Sequence, residues 1–200
     1  MHASGLWFTA ATDDPTPAQL YCWDGEVIVE IAGGGGFHRA VVGGSTSVLI
    51  AAGMGHFGQQ DAVHFDTERV ALRSLAVSPP TLPSVRMMTL GTRELRAGLV
   101  LPEGHVPGTK LPVLMDPYGG PHAQRVLSVR SAWLEAQWLA DQGFAVLVVD
   151  GRGTAGRNPQ WERQVHLDFA GPVLEDQIDA LHAAGELEPD LDLTRVGIRG

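Results

Sequence analysis

The segment best suited to chemistry is a rigid turn that carries a tyrosine. It reads Asp116-Pro117-Tyr118-Gly119-Gly120-Pro121 and follows the apolar run Pro112–Met115. Pro117 fixes its own φ, and the two glycines permit backbone conformations that are closed to other residues. Such a turn can present the Tyr118 phenol as a positioned hydrogen-bond donor. The residues alone equally allow a half-buried tyrosine whose hydroxyl is satisfied inside the fold.

A glycine-rich loop is the second candidate. It reads Gly151-Arg152-Gly153-Thr154-Ala155-Gly156, which matches the G-x-G-x-x-G pattern of dinucleotide sites, and it follows the buried run Phe144–Val149. A dinucleotide site needs a helix that opens within the glycines and an acidic residue at the end of the next strand. Here Asn158-Pro159 delays any helix until after the loop, and no strand is predicted between Arg157 and Glu175. We therefore expect no dinucleotide or other cofactor.

The pattern of histidines and cysteine argues against metal chemistry. The eight histidines are scattered, without an H-x-H pair or an H-E-x-x-H helix. The single cysteine, Cys22, excludes an internal disulfide and a thiolate zinc cluster, and its apolar neighbours predict a small buried side chain. His122 follows the tyrosine turn and could support it, although a solvated loop histidine is the more ordinary interpretation. We expect no bound metal.

Charge and hydropathy limit the partners. The net charge is −9 with a pI near 5.2, and no run of Lys or Arg interrupts the acidic balance. This composition argues against a surface for nucleic acid or anionic membranes. The chain begins without a basic flank and a following apolar segment, and its longest apolar run, Phe144–Val149, is too short to span a bilayer. We expect a cytoplasmic location.

The residues up to about Ala76 predict antiparallel β-structure. Short apolar segments alternate with turn residues, and no stretch has helical periodicity over ten residues. Asp24-Gly25 predicts a two-residue hairpin turn, because glycine accepts the positive φ of such turns. The predicted strands are Leu6–Ala10, Gln19–Trp23, Glu26–Ile31, Phe37–Val42, Thr46–Ala51, Ala62–Phe65 and Arg69–Leu72. A propeller blade and a sandwich both fit this pattern.

A different pattern follows the proline-rich linker Ser78–Pro83. Two strands, Val85–Leu90 and Leu95–Leu101, are predicted to form a hairpin through Gly91-Thr92. The continuous apolar runs Pro112–Met115 and Phe144–Val149 are typical of strands that are covered on both faces. Helical spacing predicts one helix from Val129 to Ala140. It predicts a second from Pro172 to Ala184, with Leu174, Ile178 and Leu181 as its apolar stripe, Glu175 and Asp176 near its positive end and Gly185 as its stop. With a strand from Arg195, this order indicates a parallel, three-layer α/β sheet.

Three stretches in this half resemble the prolyl oligopeptidase family, most closely its dipeptidyl peptidase IV branch. They read D-P-Y-G-G-P-H from Asp116, F-A-V-L-V-V-D-G-R-G-T-A-G from Phe144 and V-L-E-D-Q from Val173. The resemblance implies an α/β fold class: the first half of an α/β-hydrolase domain with a parallel-sheet core, preceded by the antiparallel strands of the end of a β-propeller. The implied boundaries are 1–80 for the propeller part and 81–200 for the peptidase part.

The resemblance also implies a function and residue roles. Relatives of this kind cleave short peptides with a serine nucleophile, and the tyrosine of the matching turn supplies its hydroxyl to the oxyanion hole. That role carries over to Tyr118. Asp150 and Arg152 match a motif with a mainly structural role, in which Arg152 braces the loop through pairs with carboxylates. The implied partners are short peptide substrates, with neither nucleic acid nor membrane, and the full-length protein could form a homo-oligomer.

The sequence departs from this family in extent. Hydrolases of this fold place their serine on a G-x-S-x-G turn after a strand, followed by the acid and then the histidine. Arg195–Arg199 is predicted as that strand and Gly200 as the first glycine, but no G-x-S-x-G occurs in the 200 residues. We therefore expect the nucleophile, acid and base to lie outside this sequence and the chain alone to be inactive. An esterase or acyl-peptide hydrolase on the same fold is the alternative, and a non-catalytic binding protein on this scaffold is another.

Overall fold

A computed structural model of the chain describes residues 5–65 and 68–200. These residues form two compact units. The first comprises the described residues up to Pro80 together with Leu127–Ser131, and the second comprises Thr81–Val126 and Ala132–Gly200. Each unit has its own sheet structure.

Two antiparallel sheets make up the first unit. Strands that follow each other along the chain pair in the orders β1-β2-β3 and β4-β5-β6-β7, which confirms the predicted antiparallel half. Cys22 is buried in β2, as predicted. The strands are β1 (Leu6–Ala10), β2 (Gln19–Trp23), β3 (Ile28–Ala32), β4 (Phe37–Gly43), β5 (Thr46–Ala52), β6 (Gln59–Phe65) and β7 (Glu68–Leu72).

The predicted two-residue turn at Asp24-Gly25 is wrong. Trp23 pairs with Ile28, so the connection between β2 and β3 comprises residues 24–27. The Asp24 carboxylate accepts hydrogen bonds from the backbone N–H groups of Glu26 and Val27, each at 2.9 Å. A side chain that binds its own following backbone stabilises this longer turn, and β3 consequently begins later than predicted.

The second unit contains a mixed five-stranded sheet in the order β12-β10-β11-β9-β8. Its strands are β8 (Val85–Leu90), β9 (Leu95–Val100), β10 (Leu111–Met115), β11 (Ala145–Asp150) and β12 (Leu191–Ile198). β10, β11 and β12 are parallel, which confirms the predicted core. The predicted hairpin of β8 and β9 continues the same sheet, because β9 pairs antiparallel with β11. An antiparallel edge on a parallel core is a common arrangement in large sheets.

Three helices accompany this sheet: α1 (Leu134–Ala140), α2 (Pro159–Glu162) and α3 (Gly171–Leu187), with 3₁₀ turns at Arg130–Trp133 and Arg163–Val165. The stop predicted at Gly185 is wrong, since α3 continues to Leu187. A Cβ atom at position 185 would lie 2.7 Å from Cδ1 of Leu193, so the glycine permits close packing of α3 on β12 rather than ending the helix. None of the helices in the described ranges combines the length and the apolar character needed to cross a bilayer.

The face of α3 that packs on the sheet also differs from the prediction. Leu174 and Ile178 of the predicted stripe are exposed, whereas Ala180 and Ala184 are buried in the core beside the sheet. Leu181 is partly buried against the same core. Alanines allow the helix to approach the sheet closely, and the large side chains consequently point away from it. The predicted apolar stripe was wrong for two of its three residues.

Trp133 covers the opposite face of the sheet. It is almost completely buried, and its ring lies directly over Gly98 in β9. A Cβ atom at position 98 would lie 2.0 Å from Cη2 of that ring, so only glycine leaves room for it. With α3 on one face and Trp133 with α1 on the other, the sheet is the middle of three layers.

We predict that Gly98→Ala destabilises the protein by ~1–3 kcal/mol, because the added methyl group overpacks the contact with Trp133. Urea denaturation of a protein that contains this sequence measures the loss. Gly197→Ala is the matched control, since Gly197 also lies in a strand of this sheet and a Cβ atom there would be 3.6 Å from Leu114. Equal stability of the two variants would contradict the proposed packing.

Candidate functional site

Three segments selected from the sequence meet at one edge of the sheet. β10 lies between β11 and β12, and all three strands run in the same direction. The tyrosine turn follows β10, the glycine-rich loop follows β11, and Gly200 lies just beyond β12. The carboxyl edge of a parallel sheet is where ligands of α/β proteins bind. A cavity of about 650 Å³ near Val85, Leu101 and His105 lies at the opposite edge and is remote from these segments.

Tyr118 lies at this edge, where its side chain is exposed and its hydroxyl makes no hydrogen bond within the described residues. Gly119 adopts a φ of +67°, which favours glycine, and a Cβ atom at Gly120 would lie 3.0 Å from Cε1 of the tyrosine ring. The tyrosine is 44% exposed, and within residues 5–65 and 68–200 its hydroxyl has no hydrogen-bond partner. The interpretation of Tyr118 as a tyrosine satisfied inside the fold therefore does not fit.

Asp116 anchors the start of the turn. It is 2% exposed, and its backbone N–H donates to the carbonyl of Leu147 in β11 at 3.1 Å. Its Oδ2 accepts from Nη2 of Arg125 at 2.7 Å, and its Oδ1 lies 3.1 Å from Nε of Arg199. Both carboxylate oxygens of this buried group thus have cationic partners. Sequence reasoning did not identify either arginine.

Asp150, at the end of β11, fixes the segment that follows the turn. Its carboxylate accepts from the backbone N–H of Arg125 at 3.1 Å and from that of Val126 at 2.8 Å. Burial raises the pKa of Asp150 to about 6, against the opposing effect of these two backbone hydrogen bonds and of the Arg125 charge. The side chain therefore has the structural role that the sequence predicted, and it belongs to the same edge as Tyr118.

Arg152 braces the glycine-rich loop through carboxylates, as predicted. Its Nη2 contacts Glu175 at 2.8 Å, and its Nε donates to Asp176 at 3.0 Å. The hydrogen bond to Asp176 is the main reason that the pKa of Arg152 is raised, while burial opposes the shift. Asp176 is completely buried and also accepts from Nε of Arg93 at 2.8 Å. The sequence placed Asp176 near the helix dipole, and its actual role is to join α3 to two arginines.

The same loop shows what its glycines do. Gly153 has a φ of +91°, and a Cβ atom there would lie 2.8 Å from Val165. The backbone N–H of Arg152 donates to the Asp176 carboxylate at 2.6 Å. This N–H group is therefore already used within the fold and does not point to a phosphate of a bound dinucleotide. α2 begins only at Pro159. The glycines serve close packing in this loop.

The remaining candidates do not join the site. His122 is exposed, which fits the solvated loop histidine. Within the described residues, no group of three or more His, Cys, Asp or Glu side chains is placed to hold a metal ion.

Known proteins resemble this chain in sequence. A model of the prolyl oligopeptidase family matches residues 130–200, which confirms the predicted resemblance. Dipeptidyl peptidase 8 of Mus musculus is 30% identical over 125 residues, which are 62% of this chain and 14% of that protein. The aligned region is therefore a small part of the relative.

Solved structures resemble the whole chain. The dipeptidyl peptidase 4 of Porphyromonas gingivalis matches with a TM-score of 0.82 and 25% identity, over 98% of this chain and 29% of that one. The acylaminoacyl peptidase of Pyrococcus horikoshii matches with a TM-score of 0.76 and 21% identity, over 99% of this chain and 32% of that one. This match shows a likeness of fold. The predicted fold class is confirmed: strands of the end of a β-propeller precede the first half of an α/β-hydrolase domain.

We predict that ionisation of Asp150 lowers stability as the pH rises. The folded chain keeps this proton up to about pH 6, whereas the unfolded chain releases it near 3.8. The free energy of unfolding of the wild type, minus that of Asp150→Asn, should therefore fall between pH 4 and pH 7. The fall should be about 2 kcal/mol, since the shift is about two pKa units and part of the titration of the unfolded chain lies below pH 4.

Urea denaturation at several pH values tests this prediction. Asp192→Asn is the control, because hydrogen bonds from Thr194 and Arg195 lower the pKa of Asp192 to about 2 and its titration lies below the measured range. A difference between wild type and Asp150→Asn that stays constant from pH 4 to pH 7 would contradict the raised pKa.

Proposed function

We propose that this chain forms part of a cytoplasmic serine peptidase that releases dipeptides through an acyl-enzyme, with Tyr118 as one donor of its oxyanion hole. The observation that carries the proposal is the exposed Tyr118, which has no hydrogen-bond partner for its hydroxyl in the described residues and follows β10, the strand whose end pairs with the carboxyl end of β12. We assign residues 1–80 to the propeller and residues 81–200 to the peptidase domain, and the two compact units of the described chain support this division.

The chemistry of acyl transfer explains why such a hydroxyl is useful. Attack of a serine on a carbonyl moves negative charge onto the carbonyl oxygen. A donor that is already fixed stabilises this charge without reorganisation at the moment of reaction. The Tyr118 ring rests on the backbone of Gly120, and its turn begins at the buried Asp116, so the phenol is held before substrate binds.

The pairing at the carboxyl edge supports a position for the nucleophile. Met115 at the end of β10 pairs with Ile198 in β12, and its carbonyl accepts from the backbone N–H of Arg199 at 3.0 Å. A serine turn that begins at Gly200 would therefore start next to the tyrosine turn. We infer that the serine follows Gly200 and that the acid and base come later in the chain, in the usual order of this fold.

The substrate class separates the candidate functions. The relatives named as dipeptidyl peptidases favour removal of dipeptides from a free amino end. The fold likeness to an acylaminoacyl peptidase keeps a blocked amino end as the alternative, and an esterase would use the same oxyanion chemistry. A binding protein on this scaffold would hydrolyse none of them. Turnover of dipeptidyl, acetyl-aminoacyl and ester substrates by a protein that contains this sequence distinguishes these functions.

We predict that Tyr118→Phe lowers kcat by ~10²–10³, with little change in KM, in a catalytically complete protein that contains this sequence. The phenylalanine keeps the ring and removes only the hydroxyl. Because that hydroxyl makes no hydrogen bond within the described residues, the melting temperature should not change. Steady-state kinetics and thermal melting measure the two quantities.

The other tyrosine of the sequence provides the control. Tyr21 lies in the first unit and stacks on Phe8 at 5.7 Å between ring centroids, so Tyr21→Phe should leave kcat unchanged. A Tyr118→Phe protein within about threefold of the wild-type kcat would end the oxyanion assignment, since that change is under ~1 kcal/mol.

We further predict that a polypeptide of residues 1–200 has no peptidase or esterase turnover and is not labelled by serine-directed phosphonates. Its serines lie outside any G-x-S-x-G turn. Mass spectrometry locates the labelled residue in a longer, active protein, where we expect a serine after Gly200. Stoichiometric labelling of Ser45, Ser47 or another serine of these 200 residues would show that the active site is misplaced.

A further inference from the structure

Arg199 links three structural elements at the carboxyl edge. Its backbone N–H donates to the Met115 carbonyl at 3.0 Å and so extends the pairing of β12 with β10. Its Nε lies 3.1 Å from Oδ1 of Asp116, at the base of the tyrosine turn. Its Nη2 donates to Oε1 of Glu135 in α1 at 2.8 Å. A single guanidinium thereby connects the end of β12, the tyrosine turn and a helix.

The geometry favours arginine over lysine at this position. Two carboxylates on different elements are bound by two nitrogens of one planar group, which fixes the angle between them as well as the distance. A lysine ammonium on a flexible stem can approach either carboxylate but does not impose this orientation.

Stability alone gives little reason for the arrangement. The Arg199 side chain is 37% exposed and its partner Glu135 is 61% exposed, and ion pairs on a protein surface contribute little to folding. Asp116 keeps Arg125 as a partner if Arg199 is removed. The loss of Arg199 therefore leaves no buried carboxylate without a cation.

We propose that Arg199 is a positioning residue, which holds the tyrosine turn and the end of β12 at a fixed separation so that the Tyr118 hydroxyl meets the oxygen of the attacked carbonyl. This inference rests on the proposed function, since it requires Tyr118 as an oxyanion donor and a serine turn after Gly200. Arg199 acts through Asp116, which lies two residues before Tyr118, and does not itself touch the substrate. A misplacement of about 1 Å between such groups can cost ~10²-fold in rate.

A double-mutant cycle tests the proposal in a catalytically complete protein that contains this sequence. Arg199→Met removes the guanidinium, and Tyr118→Phe removes the hydroxyl that the guanidinium is proposed to position. We expect Arg199→Met to lower kcat by ~10–100-fold with KM within about twofold. In the Tyr118→Phe background, the same substitution should lower kcat less than about threefold, because residues that act as a unit are not additive.

Arg195→Met is the matched control. Arg195 lies in β12, four residues before Arg199, is exposed, and pairs with Asp192 at 2.6 Å. This variant should retain wild-type kcat, and it should cause no further loss of kcat when combined with Tyr118→Phe. Arg199→Lys provides a second cycle that preserves the positive charge if Arg199→Met does not fold, and it should show a smaller loss that also disappears when Tyr118 is Phe.

The outcomes separate the two proposals. If Tyr118→Phe lowers kcat and the loss from Arg199→Met or Arg199→Lys persists in full in that background, Arg199 is not a positioning residue and the oxyanion role stands. If Tyr118→Phe leaves kcat unchanged, both proposals are overturned. If the Arg199 variants keep wild-type kcat while Tyr118→Phe does not, only the role of Arg199 is overturned.

Discussion

The register of β10 with its two parallel neighbours determines which loops meet at the carboxyl edge of the sheet. Met115 pairs with Leu147 of β11 on one side and with Ile198 of β12 on the other. β10 and β12 therefore end at the same level, whereas β11 continues three residues further to Asp150, and the segments that follow the three strands leave the sheet at the same edge. A slip of the register by one residue would turn the side chains of β10 to the opposite faces and would move the tyrosine turn away from the end of β12.

Three buried aspartates then hold these segments in place. Asp116 binds two arginines, Asp150 binds the backbone after the tyrosine turn, and Asp176 binds Arg93 and Arg152. An unpaired carboxylate is costly to bury, so each of these groups is stable in its position only with its donors around it. The same requirement works in reverse, because a segment that supplies the donors cannot move away without weakening the compensation of a buried charge. The loops of the carboxyl edge are consequently held by contacts to buried carboxylates.

The sequence predicted the features that depend on neighbours along the chain. Apolar runs indicated β10 and β11, the turn residues indicated the tyrosine turn, and Asn158-Pro159 indicated that a helix begins only after the glycine-rich loop. The partners of the buried aspartates could not be predicted in this way. Arg93 and Asp176 are 83 positions apart, and nothing local in either segment indicates the other. The apolar stripe predicted for α3 was wrong for the same reason. The spacing of apolar residues does not show that the buried face of this helix includes a paired aspartate and two alanines.

The glycine-rich loop illustrates why a pattern needs its structural context. In a dinucleotide site, glycines let the backbone approach a pyrophosphate at the start of a helix. Here the same spacing lets the chain approach side chains of its own fold: Gly151 is close to Asp176, and Gly153 is close to Val165. A dinucleotide site uses the backbone N–H groups of such a loop to bind a phosphate. Here the N–H of Arg152 donates to a carboxylate of α3 instead. Because this internal carboxylate already accepts from the loop, the proposed chemistry of this edge rests on the exposed Tyr118 hydroxyl and on an oxyanion rather than a phosphate.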